Sequence, residues 1–291
     1  LGDLAMRTDD LEAAKESYKN ALALFQQIDS KLGEANTLKA LGDLAMRTDD
    51  LEAAKESYKN ALALFQQIDS KLGEANTLEA LGDLAMRTDD LEAAKESYKN
   101  ALALFQQIDE KLGEANTLKA LGDLAMRTDD LEAAKESYKN ALALFQQIDE
   151  KLGEANTLMR LGQWFALTDK LSSAESILDD ADTIFKEIEE LEGQAEVHMG
   201  EALIFLKQQN DAGARQELNQ CLYIRDKVLA HGEAAQWLIL YADNLKLKGF
   251  DAGAKVCLEY AGEFASKARD SPLQKNVEQR LSELTRKNAE V

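Results

Sequence analysis

The chain has 291 residues, with 54 Asp and Glu against 34 Lys and Arg, a net charge of −20, and 45% apolar and 30% charged residues. That acidity argues against nucleic acid as a partner, because phosphate binding needs a basic stripe. The apolar and charged fractions are those of a globular protein, and no run of about 18 apolar residues and no signal-peptide layout is present, so the expectation is a cytoplasmic protein with no membrane association.

From Leu1 the segment LGDLAMRTDDLEAAKESYKNALALFQQIDSKLGEANTLKA repeats as 1–40, 41–80, 81–120 and 121–160. The copies differ at three positions: Ser30/Ser70/Glu110/Glu150, Lys39/Glu79/Lys119/Met159 and Ala40/Ala80/Ala120/Arg160. A fixed period of this size means a stacked array, in which each unit buries its apolar face only against its neighbours. The chain opens in mid-unit, which suggests a piece of a longer array. An uncapped first unit there would expose apolar helix surface and invite self-association.

Within a unit the apolar spacing predicts two amphipathic helices. Leu38, Leu41, Leu44 and Ala45 form one stripe. After Thr48-Asp49-Asp50, the residues Leu51, Ala54, Tyr58, Ala61, Phe65 and Ile68 form the other. Asp49 and Glu52 have the spacing of a capping pair for the second helix, and Gly73 is expected in the turn before Glu74 opens the next unit. No segment alternates with period two over a strand length.

The period continues in degenerate form over 161–280, with Leu161-Gly162, Ala174, Ala181 and Phe185, then Ala202, Ala214 and Leu218, then Ala242, Ala254, Leu258 and Ala261 in phase. Residues 281–291 end a capping helix whose apolar stripe is Leu273, Val277, Leu281 and Leu284. The expected division is therefore 1–160, 161–280 and 281–291.

The order Leu38-x2-Leu41-Gly42-x2-Ala45, then Ala54-x3-Tyr58 and Ala61, resembles the tetratricopeptide repeat. It departs in a 40-residue period, in Leu38 for the leading Trp and in Gln66 for the closing Pro, the extra length being placed after Ala61. The wording LGEANTLKALGDLA is also similar to arrays behind signalling ATPases of the NB-ARC or STAND type. The resemblance implies an all-α, right-handed superhelical solenoid of antiparallel helix pairs. It also implies a protein-binding groove lined by the first helices, whose exposed positions are Asn76, Glu79, Asp83, Met86 and Arg87 in one copy and Asn116, Lys119, Asp123, Met126 and Arg127 in the next. The asparagines suit the backbone of an extended peptide. Asp43–Arg47 and its equivalents have the i,i+4 spacing of an intrahelical salt bridge.

At the same groove positions the degenerate units carry apolar residues: Met159, Ala166 and Leu167, then Met199, Leu203 and Leu206, then Ile239 and Leu247. If exposed, they form a patch for an apolar helix or peptide. If the first helices pack closely together, they are core. Residues 161–200 hold ten carboxylates against two lysines, with Glu187, Glu189, Glu190, Glu192 and Glu196 crowded around one turn, either a solvated loop or a dock for a basic partner.

Catalytic chemistry finds no support. The histidines are His198 and His231, no Cys or His pair has metal-ligand spacing, and no phosphate-binding glycine loop is present. Cys221 and Cys257 read as buried thiols, and Trp164 as core at the position of Leu44. The expectation is a non-catalytic scaffold without cofactor or metal, binding a protein, peptide or helix in its groove through Asn76, Arg87, Asn116, Arg127, Met159, Leu167, Met199, Leu203, Leu206 and Ile239. The alternative is a spacer or self-assembling array.

Overall fold

In the computed structural model, residues 10–228 and 232–289 are described, with side chains at all of these except Val228, Gly232, Glu233 and 285–289. They form fourteen helices: α1 (Leu11–Gln27), α2 (Lys31–Arg47), α3 (Leu51–Gln67), α4 (Lys71–Arg87), α5 (Leu91–Gln107), α6 (Lys111–Arg127), α7 (Leu131–Gln147), α8 (Lys151–Leu167), α9 (Leu171–Glu187), α10 (Leu191–Lys207), α11 (Asp211–Val228), α12 (Gly232–Leu247), α13 (Asp251–Lys267) and α14 (Ser271–Ala289). No strand occurs among the described residues.

Most helices are 17 residues long because the sequence restarts the same device every 20 residues. Runs such as LEAAKESYKNALALFQQ are rich in strong helix formers. Each ends at a residue in the left-handed region, Asp29, Asp49, Asp69 and onward, with φ of 53 to 62°. The next backbone N–H then closes on the carbonyl five residues back, as Asp50 does on Ala45 at 2.9 Å. This satisfies carbonyls that the helix end would orphan. Asp50 then caps α3, its carboxylate accepting from the Ala53 N–H at 3.2 Å. Asp49 is thus the turn residue and Asp50 the cap, one position later than the capping pair expected from sequence.

Gly73 does not turn the chain; it lies inside α4, whose turn is Ile68–Ser70. A Cβ there would stand 2.2 Å from the Phe65 ring, so glycine is needed for the approach of two helices. Gly42 likewise faces the Tyr58 ring, at 2.5 Å. The pairs Gly42–Tyr58 and Gln66–Glu74 run in opposite chain directions about their turns, which defines antiparallel hairpins. Because first and second helices have equal length, the extra residues of the 40-residue period are shared between them and are not confined to the second.

The chain divides into two compact units, Leu1–Ile148 and Asp149–Val291. Residue 160, where the near-identical copies end in a frame counted from Leu1, lies inside α8. In the first unit, Ala35, Ala61 and Phe65 make one core layer and Ala45, Ala54, Tyr58 and Leu84 the next. In the second, Trp164 does take the core place of Leu44, and Phe185, Leu218 and Phe264 continue the core. Val277 and Leu284 bury the apolar stripe of α14, and Pro272 sits in its first turn, where a missing N–H costs nothing. Residues 1–9, which carry the expectation of an uncapped start, lie outside the described residues, as does His231.

Candidate functional site

In the first unit the positions expected to be exposed on α2, α4 and α6 line up at 40-residue intervals, but most are half-buried and Met126 is buried, because neighbouring first helices partly cover them. Their acids are held from behind by the second helices: Tyr58 Oη donates to Asp43 at 2.8 Å, Tyr98 to Asp83 at 2.7 Å and Tyr138 to Asp123 at 2.7 Å. Burial and then the neighbouring carboxylates push the Tyr58 and Tyr98 hydroxyls far up, so they stay protonated donors. A hollow of about 350 Å³ lies between α2 and α4, lined by Lys39, Asp43, Met46, Tyr58, Asn76, Glu79, Ala80 and Asp83.

Two charges in this row differ in kind. Lys39 donates to Asp43 at 2.9 Å within its own helix. One repeat on, Glu79 replaces the lysine, so Glu79 and Asp83 stand four apart on one helix face. Neither has a Lys or Arg within ion-pair distance among the described residues. Desolvation raises the Glu79 carboxyl to about 7, Asp83 adds to the rise, and Lys39 and Lys119 oppose it. Asp83 is also raised, chiefly by desolvation in the hollow, although its side chain is exposed at the mouth. Asn76 and Asn116 are half-buried on the same face, with no side-chain hydrogen bond among the described residues.

Arg87 and Arg127 are spoken for. Arg87 donates to the Met46 carbonyl at 2.6 Å and to Asp49 at 2.9 Å, and Arg127 to the Met86 carbonyl at 2.7 Å and to Asp89 at 2.6 Å. Each therefore clamps the turn of the preceding repeat. The expected intrahelical Asp–Arg bridge gives way to two different bonds, tyrosine for the aspartate and the preceding turn for the arginine.

In the second unit the expected apolar groove is core. Met159, Leu167, Met199, Leu203 and Leu206 are all buried, as is Ala166, and Ile239 is half-buried. The reason is that α8, α10 and α12 pack directly on one another, more extensively than α2, α4 and α6 do. Leu247 alone of that set is strongly exposed, at 88%. Glu196, read as part of an acidic surface, instead binds inward to Arg160 at 3.4 Å and Arg225 at 3.2 Å, while the Arg160 guanidinium lies 4.5 Å over Trp237. Around it, Gln163 Nε2 and Tyr241 Oη have no hydrogen-bond partner among the described residues. Glu187, Glu189, Glu190 and Glu192 remain at the surface turn. Cys221 and Cys257 are buried free thiols, and burial pushes Cys221 up to about 12.

A second constellation, passed over by a search for Cys and His pairs, joins α10 to α11. His198 Nδ1 lies 3.2 Å from a Glu201 carboxylate oxygen and 2.8 Å from one of Glu217. Hydrogen bonding to Glu201 raises the imidazole, Glu217 adds to this, and desolvation opposes. A His-x2-Glu pair one helical turn apart is the signal that sequence offers for it.

These features accompany a family match. The tetratricopeptide repeat model matches residues 1–67, 73–147 and 113–187, more than half of the chain, and the chain belongs to that family. A search of curated proteins finds no match. Among solved structures, the apo form of RapI superposes with a TM-score of 0.81 at 14% identity, covering 93% of this chain and 97% of that one. Aspartyl phosphate phosphatase F from Bacillus subtilis gives 0.79 at 10% identity over 94% and 69%. The Rap conjugation gene regulator of plasmid pLS20, in complex with the Phr* peptide, gives 0.69 at 14% identity over 91% and 73%. At these identities the likeness is one of fold: an all-α tetratricopeptide-like solenoid. No described helix is long and apolar enough to cross a membrane.

Proposed function

We propose that the chain is a non-catalytic scaffold that binds an extended peptide with basic side chains on the first-helix face of the Leu1–Ile148 unit. The observation that carries this reading is the Glu79–Asp83 pair: two adjacent carboxylates in a walled hollow, raised above their ordinary pKa, with no cation bonded to either among the described residues. Perturbed acids in a cleft mark functional sites more often than inert surface. A ligand ammonium or guanidinium placed there relieves the repulsion, and the amides of Asn76 and Asn116 can grip peptide backbone on either side. Peptide capture by a solenoid of this kind has a parallel in the Rap regulator solved with its peptide.

This reading moves the partner surface from repeats five to seven to the near-identical repeats, because the side chains first favoured are buried. Residence in the cytoplasm, and the similarity of wording to arrays of STAND-type signalling proteins, are compatible with it and rest on the sequence alone.

The test is fluorescence anisotropy with labelled peptides of one length that are Lys-rich, neutral or Glu-rich. The Lys-rich peptide should bind best, and the double variant Glu79→Gln/Asp83→Asn should lose that preference while the introduced amide oxygen still accepts from Tyr98. Equal binding of all three peptides, or an unchanged preference in the variant, sinks the assignment.

A second reading is self-association. Its support is the apolar surface at the C-terminal end of α1, where Leu24 in the helix and Ile28 just after it are 61% and 69% exposed while their equivalents Leu64 and Ile68 are half-buried. Molar mass by light scattering over a concentration series separates it: a constant 32.2 kDa removes this reading.

A further inference from the structure

The His198 cluster is a departure from the repeat that occurs at three positions together. At the places of His198 and Glu201 the four near-identical copies carry leucines, Leu38 and Leu41 in the first pair and Leu158 and Leu161 in the last. Leu38 and Leu41 pack against the core of the first unit. At the place of Glu217 the copies carry Ser57, Ser97 and Ser137. Exchanging half-buried leucines for an imidazole and a carboxylate forfeits apolar burial. Such an exchange calls for a compensating interaction.

The geometry points to one. We propose that His198, Glu201 and Glu217 form a site for a divalent transition-metal ion of the Zn²⁺ kind, which ties α10 to α11. Their potential ligand atoms all lie within 4.8 Å of one another, with all three residues only partly exposed. Metal–nitrogen and metal–oxygen bonds of about 2.0–2.1 Å place neighbouring ligand atoms roughly 2.9–3.4 Å apart. Of the separations from Nδ1, the 3.2 Å to Glu201 falls within that spacing and the 2.8 Å to Glu217 lies just below it, so a small outward shift of the Glu217 carboxylate admits the ion.

Charge favours a cation as well. Neither glutamate is bonded to a Lys or Arg among the described residues. A divalent ion serves all three groups at once. One imidazole with two carboxylates suits Zn²⁺ and its first-row neighbours, and Mg²⁺ or Ca²⁺, which take oxygen sets, less well. Three protein ligands leave coordination positions for water.

The experiment uses the full chain stripped with a chelator and titrated with Zn²⁺ in a calorimeter. One saturable site is expected, together with a rise in Tm on adding Zn²⁺. The triple variant His198→Leu/Glu201→Leu/Glu217→Ser restores the residues of the near-identical copies. It should fold, show unchanged helical circular dichroism, and lose both the site and the Zn²⁺-dependent Tm rise, whereas His231→Gln keeps them. Should the triple variant fail to fold, Co²⁺ titration with NMR supplies the readout: the His198 imidazole signal must broaden and shift first, and Glu217→Gln must abolish this. No saturable site, or one that survives the triple variant, overturns the proposal, because the ion is then held by the general acidity of the surface.

Discussion

The two units share helix length, turn geometry and the small-residue contacts, yet their first helices end in opposite environments. In the Leu1–Ile148 unit the face of α2, α4 and α6 is wet and polar, with each aspartate held by a tyrosine of the following helix. In the Asp149–Val291 unit Gln163 stands in the aspartate's place and Leu178 in the tyrosine's, so the bond is gone, and α8, α10 and α12 close on each other. The comparison shows how little of the repeat the fold requires. A left-handed residue at the turn and an alanine at the Ala54 position recur in every repeat, whereas the aromatic of the Phe65 position stops at Phe185, with Arg225 and Ala265 in the next two places. Every other position on the first helices is free to become groove, core or ligand set.

The sharpest way to break the comparison is the clamp that both units use. Lys207 repeats the role of Arg87 and Arg127, reaching the Leu167 carbonyl at 3.0 Å and Asp169 at 2.8 Å, but its side chain is only 2% exposed where those of the arginines are 45% and 44%. Asp169→Ala should cost about 3 kcal/mol, because it leaves a buried ammonium short of its counter-charge. Asp89→Ala, which frees an exposed guanidinium, should cost less than about 1 kcal/mol. Urea unfolding at neutral pH measures both. Burial already holds Lys207 below its ordinary pKa. Without Asp169 the native ammonium is lower still while the unfolded one is ordinary, so the unfolded chain binds the extra proton. The variant's stability should then rise with pH up to the ordinary lysine range. Equal losses at the two sites would show that the second-unit clamp is as wet as the first.

A smaller effect separates the helix contacts themselves. A methyl at Gly82 would meet the Tyr98 ring at 2.4 Å, and the ring is pinned by its bond to Asp83. Gly82→Ala should therefore cost about 2 kcal/mol, within the range for overpacking. At Gly162 the neighbour is the branched end of Leu178, at 2.7 Å, which has no polar bond to lose and can change rotamer. Gly162→Ala should cost visibly less. Thermal unfolding of the two variants side by side decides it, and the reverse order would mean that the tyrosine face is the looser one.

Repeat length, helix pairing and the core were legible in the sequence because 3.6-residue periodicity and small-residue spacing recur in every copy. Turn details were not. Asp49 and Asp50 are both good capping residues, and only backbone geometry shows which one turns left-handed. Side-chain fate on the first helices was the least legible. Met199, Leu203 and Leu206 sit at positions that are mostly half-buried in the polar copies, and whether they are covered further depends on how closely α8, α10 and α12 pack, a property of three helices at once. The same limit hid the use of Arg87, whose partner is 38 residues away. Glu79 was visible as one of only three variable positions, and its meaning came from what surrounds it.

Glu79 also yields the finest test of the wet face. Its native carboxyl titrates at about 7 because burial, and then Asp83, disfavour the charge, whereas in the unfolded chain it titrates near its ordinary value of 4.5. Between those values the native state keeps a proton that the unfolded state has released. The Glu79 contribution to stability is therefore complete at low pH, declines as pH rises through this window, and is flat above it. Tm measured from pH 5 to 8 should fall more steeply for the native sequence than for Glu79→Gln, and Glu79→Lys, which copies the residue of the flanking repeats, should remove the difference as well. Parallel curves would mean that water reaches Glu79 as freely as any surface acid. If the curves diverge, the ionised pair available above pH 7 is the stronger trap for a basic side chain. Affinity for a Lys-rich peptide should then climb over the same interval in which the free protein loses stability, since the ligand's charge supplies what the native groove lacks.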